Sequence, residues 1–265
     1  WEDYLALIDQ MVADGNVPFS MGMESGAATG WTGTDTIQGI LLRLQGLEFT
    51  NGLVTGETAW NDPAVVDAWE LFGSWAKDET YALGGAQGTV NTGFLDAIYA
   101  VFADPPEAMM VRQSGFAGGA VASQYPDLVY GEDYAFFVVP GVEGEPAPMQ
   151  IGADIMSVFN ATPAAEAIIA YLTSEAGAAA WAASGFDLSP NMYATAEFYE
   201  DPIFADKADA LLAAPAVSFD VGDLLPGGLG LDEFEKLTAF VNGTMTAQEA
   251  LDAMQARVED GLAGE

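Results

Sequence analysis

The sequence predicts an α/β fold, and three observations carry that prediction. Apolar runs of strand length stand at 17–23, 109–111, 134–139 and 150–159. Longer stretches between them place apolar residues at helical spacing. Gly, Pro, Asn and Asp punctuate the boundaries. Strands and helices that alternate in this way point to the α/β class.

The elements follow in order. Trp1, Tyr4, Leu5, Ile8, Met11 and Val12 line one face of a first helix, which Asp14-Gly15-Asn16 stops. Val17 to Met23 reads as a short buried strand. Glu24 to Asp35, Glu-Ser-Gly-Ala-Ala-Thr-Gly-Trp-Thr-Gly-Thr-Asp, is expected as a loop, because Gly, Ala and Thr in this mixture favour neither helix nor strand. Thr34 or Asp35 then caps a helix carrying Ile37, Ile40, Leu41 and Leu44. Asn61-Asp62-Pro63 opens another, with Asp as cap and Pro at the first position. Its stripe of Val65, Val66, Trp69, Phe72 and Trp75 reads as core. Gly84 to Gly88 is expected as a flexible loop. A helical pattern from Phe94 to Phe102 ends at Asp104-Pro105-Pro106.

Met109-Met110-Val111 reads as a buried strand that runs into the glycine-rich Arg112 to Gly119, a candidate binding edge. Tyr134 to Val139 reads as a buried strand, Pro140 to Pro148 as a linker, and Gln150 to Phe159 as a further strand. Helices follow from Thr162-Pro163 and from Ser174, then over Asp206 to Leu212. Val217 to Gly230 is expected as a glycine-rich loop carrying Asp220 and Asp223. Leu231 to Phe240 is helical, and Thr246-Ala247-Gln248-Glu249 is a capping box that starts the last helix.

Charge excludes several function classes. Forty acids face six bases, for a net charge of −34. Such a surface is unsuited to nucleic acid, whose phosphates need basic partners, and equally to anionic membrane surfaces. Self-repulsion lowers stability at low salt, so a saline habitat is expected. The chain has no Cys and no His, which removes disulfides, thiol nucleophiles and His- or Cys-based zinc sites. Catalysis, if any, would have to use carboxylates, Tyr, Lys or hydroxyls, and no metal or cofactor is expected. No run of about 18 apolar residues could span a membrane as a helix. Asn160-Ala-Thr and Asn242-Gly-Thr match a glycosylation pattern and are taken as chance.

The stretch Glu24 to Asp35 is the strongest candidate for a site. Its two acids can accept hydrogen bonds from hydroxyls, and Trp31 offers a flat face for the C–H surface of a ring. That pairing suits a neutral, polyhydroxylated ligand such as a sugar. The alternative is an ordinary loop with Trp31 in the core. Arg112 reads as a structural ion pair rather than a ligand contact.

An ordered series of landmarks covers essentially the whole chain. It comprises Trp1-Glu2-Asp3-Tyr4, the Glu24–Asp35 stretch, Phe102-Ala103-Asp104-Pro105-Pro106, Arg112-Gln113-Ser114-Gly115-Phe116, and Tyr134-Ala135-Phe136-Phe137 with Pro140. It continues through Gly152-Ala153-Asp154, Ser189-Pro190-Asn191, Asp223 with Pro226 to Gly230, and Thr246 to Glu249. The series resembles family 1 of the extracellular solute-binding proteins of carbohydrate ABC importers. It is most similar to the α-glucoside-binding branch and more distantly to the maltose-binding proteins.

The resemblance implies a two-lobe periplasmic-binding-protein fold of type II, with most of the first lobe and any signal lying upstream of Trp1. Residues 1–148 would form the second lobe, 149–200 would return to the first, and 201–265 would complete the second. The helices over 163–184 would then expose an apolar face. It implies a sugar-binding protein rather than an enzyme, with Glu24 and Asp35 accepting sugar hydroxyls and Trp31 stacking. Gln113, Phe116, Asp154 and Asp223 would complete the binding set. Expected partners are the sugar and the permease subunits, with a monomeric, periplasmic or cell-surface protein. The family's cysteines near Ser20 and Ala108 are absent here. A glycoside hydrolase built on two carboxylates is the alternative.

Overall fold

The chain divides into two compact units in a computed structural model, which describes residues 1–263. The larger holds Trp1–Arg112, Val139–Gly152 and Ala214 onward; the smaller holds Gln113–Val138 and Ala153–Ala213.

The larger unit is mostly helical. Its helices are α1 (Glu2–Ala13), α2 (Trp31–Leu44), α3 (Gly46–Thr55), α4 (Pro63–Ala76), α5 (Gly85–Asn91) and α6 (Phe94–Ala100). The smaller unit contributes α7 (Ala117–Gln124), α8 (Pro163–Leu172), α9 (Glu175–Ala183) and α10 (Ile203–Ala213). The larger unit resumes with α11 (Val221–Leu224), α12 (Leu229–Val241) and α13 (Ala247–Ala263). Strands β1 (Met149–Ile151) and β2 (Val217–Phe219) pair in parallel, with Gln150 opposite Ser218.

Start signals in the sequence work as expected. Asp62 caps α4 by accepting from the Ala64 N–H at 2.8 Å, and Pro63 takes the first position. Thr162 and Ser174 cap α8 and α9 in the same manner. At α13 the Glu249 carboxylate accepts from the Thr246 N–H at 2.9 Å while Thr246 Oγ1 accepts from the Glu249 N–H at 3.2 Å, a reciprocal capping box.

The core lies where the α4 stripe meets α12 and α13. Val65, Trp69, Phe72 and Trp75 are buried against Leu237, Phe240, Leu251 and Met254. Each large apolar side chain removed from water contributes roughly 1.5–3 kcal/mol. Contact is close enough that a Cβ on Gly73 would stand 2.5 Å from the Phe240 ring. The Lys77 ammonium sits 3.2 Å from the centroid of that ring.

Four expectations need correction. The Glu24–Asp35 stretch is not all loop: α2 begins at Trp31, so Thr34 and Asp35 lie inside the helix and cap nothing. Tertiary packing overrides weak propensity there, since Thr32, Gly33, Thr34 and Asp35 are all buried. The Gly84–Gly88 loop is the start of α5. The expected late loop contains β2 and α11. Finally, most expected strands are not regular ones. Val17 to Met23 and Met109 to Val111 are joined by one isolated bridge, Phe19 to Met110, and the three backbone bonds around it, while the N–H groups of Met23 and Glu24 donate instead to the carbonyls of Thr89 and Thr92, around the end of α5. Among the described residues, Tyr134 to Val139 pair only through an isolated bridge from Tyr134 to Tyr130, residues 152–159 have no strand beside them, and Phe159 is 98% exposed. Helix α8 buries no residue and leaves Ile168 and Tyr171 exposed, an open apolar face of the kind anticipated for 163–184.

Candidate functional site

In the larger unit the stretch before α2 carries Glu24 at an extended turn. The Glu24 N–H donates to the Thr92 carbonyl at 3.1 Å and its carbonyl accepts from the Phe94 N–H at 3.2 Å, which fixes the backbone. The side chain remains exposed, with Oε1 accepting from the Gly26 N–H at 3.0 Å. Trp31, the first residue of α2, is half-buried rather than in the core. Its ring meets Phe94 edge-on at 5.5 Å between centroids. An exposed carboxylate and a partly open aromatic pair therefore share one end of α2, next to the start of α6.

Asp35 has a different place. It is 5% exposed, and both of its oxygens face protein groups. Gln150 Nε2 donates to its Oδ1 at 2.9 Å, and Arg112 Nη1 lies 3.4 Å from its Oδ2. The same Gln150 amide donates to Asp220 Oδ2 at 3.2 Å, while Gln150 Oε1 accepts from Arg112 Nη2 at 2.8 Å. One amide thus ties two carboxyls and a guanidinium together. Burial, and then proton sharing with Asp220, push the Asp35 carboxyl up to about 8. Arg112 Nη1 stands at ion-pair distance from Asp35 without making a hydrogen bond, and its Nη2 bonds Gln150 instead.

A second polar bridge reinforces this region. Gln38 Nε2 donates to the Phe219 carbonyl at 2.9 Å and to Ser218 Oγ at 3.1 Å, and its Oε1 accepts from the Val221 N–H at 2.9 Å. Helix α2 is thereby stapled to β2 and α11. Asp220 caps α11 by accepting from the Asp223 N–H at 3.2 Å. Asp223 itself is exposed, and residual desolvation together with the charge of Asp220 raises its carboxyl.

A water-sized cavity beneath this staple is lined by Thr34, Gln38, Trp60, Trp69, Asp220 and Glu233. Glu233 is 6% exposed and its Oε2 accepts no hydrogen bond from the protein. Burial raises this carboxyl well above the ordinary range, and the charges of Asp220 and Asp35 add to the effect. Among the described residues no group of three or more acids has the geometry to hold a metal ion.

The smaller unit holds Gln113, Phe116 and Asp154. Gln113 Oε1 accepts from the Ser114 N–H at 2.9 Å, a local bond that shapes the turn. The Phe116 ring stacks on Phe186 with centroids 6.3 Å apart and planes 12° apart. Asp154 is exposed on irregular backbone. The seven expected residues thus fall four in the larger unit and three in the smaller.

Sequence reasoning missed Gln150, Asp220 and Glu233 as a network. A signal existed for Glu233. It takes an apolar position in the α12 series Leu229, Leu237, Phe240 and Val241, where a carboxyl is out of place unless the fold uses it.

No family model matches the chain. Over 260 residues it is 31% identical to the alpha-glucosides-binding periplasmic protein AglE of Rhizobium meliloti, covering 96% of this chain and 56% of that protein. Over 235 residues it is 33% identical to the osmoprotective compounds-binding protein GgtB of Synechocystis sp., covering 88% and 55%. The chain therefore spans about half the length of the curated relatives it matches. Among solved structures it superposes on a chitin oligosaccharide binding protein with a TM-score of 0.80 at 17% identity, covering 99% of this chain and 64% of that one. A bacterial solute receptor, AcbH, gives 0.72 at 22% identity, covering 100% and 64%. The chain has the fold of these two-lobe solute-binding proteins over the part it covers, and in sequence it is similar to AglE along nearly its whole length.

Proposed function

We propose that this chain is the greater part of a sugar-binding protein that captures a neutral α-glucoside or other small oligosaccharide outside the cell and delivers it to the permease subunits of an ABC importer. The observation that carries this reading is the similarity to AglE, an α-glucoside binder by name, over 96% of the chain. The protein acts as a non-catalytic, monomeric binding module, periplasmic or at the cell surface. The alternative, a carboxylate-based glycoside hydrolase, has no observation in its favour: both curated relatives are binding proteins by name.

In this reading residues 1–148 and 201–265 build one lobe and 149–200 return to the other. All but the first four residues of that return segment, 153–200, lie in the smaller compact unit, which also takes in 113–138 and 201–213. Glu24 and Asp223, both exposed acids, accept sugar hydroxyls, and Trp31 covers a ring face. Gln113, Phe116 and Asp154 contribute from the smaller unit. Asp35 belongs to the same set and acts through the Gln150 network that anchors α2. Lobe closure excludes water and completes the hydrogen bonds.

The test is sugar affinity in the full-length protein by calorimetry. Trp31→Ala weakens binding of the preferred disaccharide by about 1–3 kcal/mol, roughly 5- to 150-fold. Unchanged affinity alongside lost stability would assign Trp31 to packing alone.

A further inference from the structure

The smaller unit contains a single Lys or Arg, Lys207, among many acids. An exposed lysine would serve general neutralisation, yet this side chain is only 10% exposed. Its ammonium donates to the Gly115 carbonyl at 2.9 Å and to Asp187 Oδ1 at 3.0 Å, and it stands 4.0 Å from the centroid of the Phe204 ring. Burying an ammonium is costly unless each donor is matched. Here a carboxylate, a carbonyl and an aromatic face supply that match.

The partners of Lys207 are themselves fixed. Asp187 Oδ1 also accepts from the Leu188 N–H at 2.7 Å, and the Asp187 carbonyl accepts from Trp181 Nε1 at 3.0 Å. The Asp187 carboxylate lies flat against Gly115: a Cβ there would stand 2.4 Å from Oδ2 and 2.5 Å from Oδ1. Phe186, the neighbour of Asp187, stacks on Phe116, and Trp181 meets Phe186 edge-on at 5.8 Å. Three of these contacts reach the Gln113–Phe116 turn directly, from Lys207 and Asp187 to Gly115 and from Phe186 to Phe116, and the others hold Asp187 and Phe186 in place.

We propose that Lys207 is a positioning residue for sugar recognition, clamping the Gly115 carbonyl to Asp187 so that the flanking Gln113 and Phe116 side chains are held ready for the ligand. The inference rests on the sugar-binding reading. It adds the residue that fixes one wall of the site without touching the ligand, and it explains why a unit so short of positive charge buries its sole cation. It also assigns a requirement for glycine at 115, where any side chain would displace the carboxylate.

The experiment compares wild type, Lys207→Met and Lys207→Arg in the full-length protein, with maltose, sucrose and trehalose as probes. Lys207→Met retains most of the apolar stem and removes the ammonium, with its bonds to Gly115 and Asp187 and its place over the Phe204 ring. Hydrogen exchange at the amides of Ser114, Ala117 and Gly118, whose bonds run within the turn, should speed up in Lys207→Met, with exchange in the larger unit unchanged. Affinity should fall about tenfold or more, since groups that must be ordered on binding cost affinity. Lys207→Arg should recover most of it. Gln113→Ala should lower affinity in wild type and have much less effect in Lys207→Met, a coupling that a purely structural lysine would not produce. Unchanged exchange in Lys207→Met overturns the assignment. So does unchanged affinity beside a wild type that binds, which leaves the sugar reading intact. A wild type that binds none of the three sugars overturns that reading and this assignment together.

Discussion

Replacing Gln150 with Leu tests the network that ties α2 to the two-stranded sheet. The substitution keeps the bulk of the side chain on β1 and deletes three hydrogen bonds: to Asp35 at 2.9 Å, to Asp220 at 3.2 Å and from Arg112 at 2.8 Å. A bond to a charged partner contributes about 1.5–3 kcal/mol and an ordinary one about 1. Arg112 and Asp220 can turn in part to water, but Asp35, 5% exposed, cannot. The expected loss is therefore about 2–4 kcal/mol, or a melting temperature lower by roughly 5–15 °C. Urea unfolding followed by the fluorescence of the buried Trp60 and Trp69 reports on this unit directly. The loss should be greater at pH 8 than at pH 5, because without the amide two neighbouring carboxyls must share the region unbridged as they ionise. A loss below about 1 kcal/mol, or an equal loss at both pH values, would refute the reasoning.

Asp35 gives a pH prediction. Burial, and then the neighbouring Asp220, push its folded carboxyl up to about 8 from an ordinary value of 3.8. Between those values the folded state retains a proton that the unfolded state has lost, so stability falls as pH rises from about 4 to about 8 and then levels. Asp35→Asn should flatten that limb in urea titrations across pH; an unaltered slope would place the titration elsewhere. With a net charge of −34, melting temperature should rise as NaCl goes from about 0.05 M to about 1 M, and a flat or falling curve would remove the saline-habitat argument. Gly73→Ala should cost about 1–3 kcal/mol by overpacking against Phe240, 2.5 Å from the added carbon, and a neutral result would mean the ring moves freely.

Local signals were legible wherever they act locally. The caps at Asp62, Thr162 and Ser174 and the box at Thr246 are chemistry between neighbours in sequence, and each forms as its residues dictate. The aromatic stripe of α4 is core because 3.6-residue spacing gives it one face. The strands were less legible, because apolar runs record burial or the wish for it, not a partner. Phe159 and Ile155 sit in such a run and remain exposed, with no strand beside them. Helix α2 began earlier than expected because Gly33 and Thr34 are held by packing; a Cβ on Gly33 would stand 2.7 Å from Leu237. The Gln150–Asp35–Asp220 network joins residues about 70 to 185 positions apart, and no spacing rule reaches that far. Arg112 was read as an ion pair from charge scarcity alone. The same argument applied to Lys207 would have pointed to the clamp on Gly115.

Tryptophan fluorescence of the full-length protein, titrated with maltose, sucrose and trehalose beside an assay of aryl α-glucoside hydrolysis, tests the central claim most directly. The account expects saturable quenching by at least one of these sugars, abolished or strongly weakened in Trp31→Ala, with no release of the aryl group. Turnover of the glucoside, or no response to any neutral sugar, would contradict it.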